Sequence, residues 1–264
     1  MAKKTRVAFL GSRPLGKAVL QFLLSEPDVD VIGMLVRRGG PEDYWKEDPR
    51  DLDVRRFKDE AEMLTEAFDL GISVNYWKIL KEPVLSHPAF GFVNVHHSYN
   101  LRLRGRHCTT HAIIRARQDN IWHHGSTLDY MAKQLDAGQI IASSDCPILE
   151  SDTALTLFQR VDEVSFEMLK EWLPRLWRER VIPYDPPSEF HVWKSSAVSE
   201  KEVNIESDAL EVYDKVRAFM FPPLEPPYTY MDGRRVYLTT IRNASASPLV
   251  DAGQGRCVYR ASLL

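Results

Sequence analysis

The chain has 264 residues, with 34 Lys and Arg against 37 Asp and Glu for a formal net charge of -3, and 44% of its residues are hydrophobic and 10% aromatic. That is enough apolar mass for a real core, which excludes a disordered tail, and the near-neutral balance gives no field to steer nucleic acid or an anionic membrane. No apolar run approaches the roughly 18 residues a membrane span needs, Met-Ala-Lys-Lys-Thr leads into a strand rather than a signal peptide's apolar segment, and Cys108, Cys146 and Cys257 are far apart and odd in number, so a cytoplasmic protein with reduced thiols is expected.

RVAFL at 6–10 is an apolar run that stops at Gly11, and Leu15, Val19, Phe22 and Leu23 then recur at helical spacing. The pattern predicts strand, tight turn and helix. DVIGMLV at 30–36 supplies the next strand, so the chain opens with a βαβ unit and a parallel sheet. A charged stretch from Gly39 to Asp53 reads as an exposed loop, followed by a helix near 59–68, a third strand in LGISVNYW at 70–77 and a fourth in FGFVNVH at 90–96. HCTTHAIIRAR after Gly105 reads as a helix, GSTLDYM at 125–131 as a strand, and LDAGQIIASSDCPI as a turn at Ala137-Gly138 leading into another strand. Apolar residues from Leu157 to Leu176 mark a long amphipathic helix over 153–177, with Ser151 or Asp152 as its cap. The proline-rich IPYDPPSE is the clearest composition break. It divides a domain over 1–183 from a small subdomain over 184–264, in which Asp232-Gly233 marks a hairpin turn. The fold class expected is α/β: a Rossmann-like, mostly parallel sheet flanked by helices, with a small β-rich C-terminal subdomain.

GSRPLGKA at 11–18 nearly spells a P-loop, but Ala18 has no hydroxyl for Mg²⁺. It is not GxGxxG either, since Arg13 stands where the second glycine would let a pyrophosphate approach. A strand-to-helix turn that needs glycine accounts for it as well, and its N–H groups could still hold one phosphate or carboxylate. Six of the eight histidines fall between His96 and His124, and His107 and His111 share the i, i+4 spacing of a zinc pair. HCTTH lacks the glutamate of HExxH, and no pattern places a third ligand, so no metal is expected.

NVHHSYNLRLRG at 94–105 crowds hydrogen-bonding side chains where a short buried strand ends, which costs desolvation unless they are paired or at work. With GSTLDYMAKQLDAGQII about thirty residues later, it resembles the folate-dependent formyltransferases, the family of the methionyl-tRNA, glycinamide ribonucleotide and amino-sugar enzymes. The first family segment is Asn-x-His-x-Ser, then Leu-Leu-Pro, a variable residue and Tyr-Arg-Gly. Asn94, His96, Ser98, Arg104 and Gly105 match it, whereas Tyr99, Asn100, Leu101 and Leu103 replace Leu, Leu, Pro and Tyr. Gly125, Thr127, Leu128, Met131, Asp136, Gly138 and Ile140 match the second segment, and Asp129 stands where the family usually has His. SVNYWKIL at 73–80 looks like the family strand and loop that lie against the pterin. The resemblance is good over about residues 6–177 and loose beyond.

It implies an N-formyltransferase with 10-formyltetrahydrofolate as formyl donor and Asn94, His96 and Asp136 as its catalytic residues. Formyl transfer to an amine puts negative charge on the former carbonyl oxygen, for which Asn94 can donate its amide N–H₂ and protonated His96 a second bond. An imidazole with an ordinary pKa of about 6.5 suits proton shuttling near neutrality. A carboxylate such as Asp136 orients the ring and favours its charged form. By the same resemblance Tyr76, Trp77, Ile79 and Leu80, with Gln134 and Leu135 from the loop at 133–135, would line the pterin slot. Trp77 and Ile79 read equally well as ordinary core.

Residues 186–264 hold nine Lys and Arg against ten Asp and Glu, a poor surface for transfer RNA. VRAFMFPPLEPPYTYMDGRRVYL instead resembles the region that follows the catalytic domain in amino-sugar formyltransferases. The acceptor expected is therefore a nucleotide-linked amino sugar, such as a 4-amino-4,6-dideoxyhexose used for surface polysaccharide. Lys78 or Arg104 would meet its diphosphate and Tyr228 and Tyr230 its base, although the tyrosines fit hairpin packing as well. A carrier-bound aminoacyl group or methionyl-tRNA is the alternative acceptor. Exposed hairpin edges invite pairing, so a homodimer through the C-terminal strands is an open arrangement.

Overall fold

The structure, a computed structural model, describes residues 3–36, 54–179, 181–193, 201–240 and 258–261. The loop expected from Gly39 to Asp53, and Cys257, lie outside the described residues. β1 (Thr5–Gly11), α1 (Arg13–Ser25) and β2 (Val29–Val36) make the opening βαβ unit. They are followed by α2 (Glu60–Met63), β3 (Leu70–Val74), β4 (Phe92–His96), a short 3₁₀ turn (Tyr99–Leu101), β5 (Leu103–Gly105), α3 (Cys108–Gln118), β6 (His123–Tyr130), β7 (Ile140–Pro147) and α4 (Ala154–Arg178). β8 (His191–Trp193), α5 (Ala209–Phe219), β9 (Tyr228–Met231), β10 (Arg234–Thr240) and β11 (Val258–Ala261) complete the chain.

The main sheet runs β2-β1-β3-β4-β6-β7. β1 pairs with β2 and β3, and β3 with β4, all in parallel, whereas β4 and β6 are antiparallel. This is the expected α/β class. Because β1 has β2 on one side and β3 on the other, the winding reverses there, and in such sheets ligands bind beyond the carboxyl ends of the strands near the reversal. Parallel strands buried on both faces need continuous apolar runs, and all five residues of β3 are buried. One cluster of side chains, including Val7, Phe9, Ile72, Val93 and Val95, packs with Val19 and Leu23 of α1 and Leu169 and Leu173 of α4. A second cluster joins Ala8, Leu10, Met63, Phe68, Leu80 and Phe92.

Several expected elements end elsewhere, each for a local reason. The third strand stops at Val74 because Asn75 takes a left-handed φ of 54°, a conformation asparagine tolerates. The helix near 59–68 is the single turn α2, capped by Asp59, which accepts from the Glu62 N–H at 2.9 Å; Thr65 then bonds back to the Glu62 carbonyl and diverts the chain. α1 begins two residues before Leu15, with Pro14 in its first turn. The cap of α4 is neither Ser151 nor Asp152. Thr153 accepts from the Thr156 N–H at 3.3 Å, while Asp152 is turned inward on Arg160. The Asp232-Gly233 hairpin forms as expected, with φ values of 49° and 70°.

The contacts divide the chain into two compact units. The first holds Met1–Arg102, Gly125–Ser144 and Asp162–Phe190; the second holds Leu103–His124, Asp145–Val161 and His191–Leu264. The composition break between β7-α4 and the C-terminal strands could not show this, because α3 from mid-chain packs on α5 from the C-terminal region. Within the second unit Arg217, 1% exposed, donates to Asp214 at 2.8 Å and to the carbonyls of Leu149 and Asp152 at 3.1 Å each. Arg117 of α3 donates to the other oxygen of Asp214 at 2.8 Å.

Asp152 is fully buried. Burial pushes its carboxyl up, but the Arg160 guanidinium, the Leu149 N–H and the Thr156 hydroxyl together outweigh burial and hold it below its ordinary 3.8. A carboxylate depressed in the folded state adds stability that is present above the ordinary value and is lost as the pH falls through the folded one. Asp152→Asn should therefore flatten the acid limb of stability below about pH 4, measured by urea unfolding between pH 2 and 6; an unchanged limb would assign acid sensitivity to other carboxylates. In the first unit, a methyl at Gly138 would overlap the Tyr130 carbonyl oxygen. Gly138→Ala should cost about 1–3 kcal/mol, seen as a lower melting midpoint.

Candidate active site

Side chains two apart on a strand share a face, so Asn94 and His96 project together from the carboxyl end of β4. Both flanking strands contribute opposite Asn94. Ser73 of β3 and Asp129 of β6 are its register partners, and they are 2% exposed each. The Ser73 hydroxyl donates to the Asn94 Oδ1 at 3.0 Å. With its oxygen so engaged, the Asn94 amide presents its N–H₂ as the remaining polar group, the donor that an oxyanion requires.

His96 Nδ1 lies 3.7 Å from Asp136 Oδ1, with the two side chains 11% and 9% exposed. That separation is beyond a direct hydrogen bond but close enough for strong electrostatic coupling in a poorly solvated place. Asp136 reaches this position from the β6–β7 loop by adopting a left-handed φ of 48°. The turn after β4 is tied down too. The Ser98 N–H donates to the His96 carbonyl at 2.8 Å, and the Thr127 hydroxyl donates to the Ser98 carbonyl at 2.5 Å. The structure thus brings Asn94, His96 and Asp136 into one unit, with Ser73 and Thr127 beneath them. Sequence reasoning passed over Ser73, because one serine in an apolar strand has no signature until the strand pairing is known.

The loop after β3 carries Tyr76, Trp77, Lys78, Ile79 and Leu80. The rings of Tyr76 and Trp77 are 4.4 Å apart and tilted. Glu60 of α2 gathers this loop by accepting from the Tyr76 hydroxyl at 2.7 Å and from the Lys78 ammonium at 3.0 Å. Burial and the adjacent Glu60 carboxylate both push the Tyr76 phenol well above its ordinary 10.0. Burial pushes Glu60 up, but its bonds to Tyr76, its own backbone and Lys78 prevail and hold it down. Ile79 is 61% exposed, whereas Leu80 is buried in the second core cluster. Gln134 and Leu135 are exposed on the loop that carries Asp136.

Three residues expected at the acceptor lie in the second unit. Arg104 is 4% exposed in β5, so it presents no free surface charge. Tyr228 and Tyr230 meet edge to face with centroids 5.8 Å apart, and the Arg235 guanidinium sits 4.0 Å from the Tyr228 ring centre. This is hairpin packing, with Tyr230 still half exposed.

His107 stands outside the helix as the N-cap of α3 with a left-handed φ of 61°, and His111 stacks on Trp193 with ring centres 3.7 Å apart. Burial, with His107 and Arg115 nearby, lowers the His111 imidazole to about 4. Among the described residues no group of three or more His, Cys, Asp or Glu side chains could hold a metal ion. The GSRPLGKA turn spends its polar groups on the neighbouring strand end: the Ser12 N–H and hydroxyl donate to the carbonyls of Val74 and Asn75.

A model described as formyl transferase matches residues 27–173. The chain belongs to the formyl transferase family. It is similar to a methionyl-tRNA formyltransferase from Pediococcus pentosaceus, 27% identical over 247 residues, covering 87% of this chain and 75% of that one. Its fold is similar to that of a 4-N formyltransferase from Francisella tularensis, with a TM-score of 0.75 and 16% identity over 89% of this chain and 96% of that one. An N-formyltransferase from Helicobacter canadensis, in complex with folinic acid and dTDP-3-aminofucose, superposes with a TM-score of 0.73 and 15% identity, covering 88% of this chain and 86% of that one. This formyl transferase is accordingly an enzyme that moves a formyl group.

If Ser73 orients Asn94, Ser73→Ala should lower kcat by roughly 10-fold or more while leaving KM for the formyl donor nearly unchanged. Steady-state kinetics at saturating donor would measure both, and an unchanged kcat would remove Ser73 from the site.

Proposed function

We propose that this formyl transferase moves the formyl group of 10-formyltetrahydrofolate to the amino group of a nucleotide-linked amino sugar, such as a 4-amino-4,6-dideoxyhexose. The observation that carries the transfer is the convergence of Asn94, His96 and Asp136, with the amide oxygen of Asn94 already engaged by Ser73.

A folate fits the residues present. Asn75, at the end of β3, keeps its Nδ2 buried without a hydrogen-bond partner among the described residues, a donor suited to the polar edge of a pterin. Ile79 and Leu135 expose apolar side chains on the two loops expected to wall its slot, together with Tyr76, Trp77 and Gln134. Leu80 supports that wall from within the core. When bound, the folate supplies an activated formyl carbon. Asn94 would donate to the formyl oxygen as negative charge grows there, and His96 would accept a proton from the attacking amine, with Asp136 orienting the ring. Restricted solvent access to His96 and Asp136 strengthens these interactions.

The acceptor reading rests on charge and shape. With nine basic against ten acidic residues over 186–264, the C-terminal region offers little to a polyphosphate backbone. Tyr230 presents an exposed ring of the kind a base stacks on, beside Tyr228. Lys78 is half exposed and can exchange Glu60 for a phosphate; buried Arg104 cannot do so without local opening. The solved neighbour holding dTDP-3-aminofucose supports this reading. The sequence similarity to methionyl-tRNA formyltransferases supports a second one, transfer to methionyl-tRNA, and a carrier-bound aminoacyl group is a third acceptor of the same chemistry. No described helix is long and apolar enough to cross a membrane, and we take the cytoplasm, where nucleotide sugars and folates are available, as the place of action.

The decisive experiment is mass-spectrometric detection of formyl transfer from 10-formyltetrahydrofolate to a panel of nucleotide-linked amino sugars, methionyl-tRNA and an aminoacyl carrier. Formylation of a sugar alone is the expected result, and formylation of methionyl-tRNA alone would overturn the acceptor. On the accepted substrate Asn94→Ala should lower kcat by ~100- to 1,000-fold; wild-type turnover in that variant would refute the role given to Asn94.

A further inference from the structure

A second histidine–carboxylate pair begins at the residue next to His96. His97 follows His96 where the chain leaves β4, and its Nε2 lies 3.1 Å from Asp162 Oδ1 on α4, with the side chains 9% and 18% exposed; the two atoms are in close electrostatic contact, although the angles fall short of a hydrogen bond. Among the described residues His97 is the one basic side chain within ion-pairing distance of Asp162. Residues 162 and 97 both belong to the first unit. Neither was singled out by the sequence, where His97 is only the variable position between His96 and Ser98.

A largely buried polar pair is weak evidence for stability, because replacing both members by well-packed apolar side chains of similar size serves as well or better. A carboxylate kept on the inner side of a helix therefore needs another reason. The helix beyond Asp162 is otherwise committed to the core through Met168, Leu169 and Leu173. Asp162 is thus fixed by the packing of α4, and through His97 it grips the turn that Ser98 closes on the His96 carbonyl. Thr127 holds the same turn from the β6 side. We infer that Asp162 is a positioning residue: by anchoring His97 to α4 it fixes the turn from which His96 faces Asp136. The inference rests on the role proposed above for His96.

Asp162→Leu and Asp162→Asn test it with two readouts. The first is residue-resolved amide hydrogen exchange of the free protein, which needs neither folate nor acceptor. Exchange at residues 97–102 should quicken by roughly 10-fold in Asp162→Leu, with β1 and β3 unchanged. The second is kinetics on the acceptor found by the panel: kcat should fall by ~10- to 100-fold with KM for the donor within about twofold, and Asp162→Asn, which keeps a polar oxygen of the same size against His97, should recover part of the loss. Unchanged exchange, or faster exchange with wild-type kcat, would overturn the inference. A wild-type enzyme that formylates nothing would count against the proposed function instead, and the exchange comparison would still decide whether Asp162 holds the turn.

Discussion

A polar side chain in the middle of an apolar sheet has to be satisfied by the strands beside it, and Asn94 is the point where this constraint governs the molecule. Its neighbours in the sheet are fixed by the parallel β3–β4 register and the antiparallel β4–β6 register, which place Ser73 on one side and Asp129 on the other. A slip of one residue in either strand would turn the polar partner to the opposite face. The catalytic possibilities of the amide therefore follow from strand pairing. His96 shares the strand and face of Asn94, so only the β6–β7 loop has to fold back, bringing Asp136 to the pair.

Much of this was legible in the chain. Continuous apolar runs such as RVAFL and DVIGMLV fit only buried parallel strands once a helical pattern separates them, and the crowd of polar groups at 94–100 marked the end of one such strand as a site. Asp136 was legible through the motif alone. Its approach to His96 depends on a left-handed residue in a loop, which no periodicity reports. Strand and helix limits failed where one side chain decided them. Asn75 turned the chain out of β3 early, and Thr153 took the cap expected of Ser151 or Asp152.

The pairs that hold the site were illegible for a different reason. Ser73 and Asn94 are 21 residues apart, His97 and Asp162 farther still, and no spacing in the chain joins either pair. The same holds for Arg217, whose bonds reach back to Leu149 and Asp152. Such polar contacts within a core carry specificity more than stability. They emerge only once the topology is known.

The interleaving of the two units bears on how a chain of this kind can change. The polypeptide crosses from one unit to the other five times, at 102–103, 124–125, 144–145, 161–162 and 190–191. Neither unit is a continuous stretch, so neither can be exchanged between relatives as a cassette or folded from a clean excision. Diversification of such an enzyme is confined to substitutions and loop insertions within a shared frame.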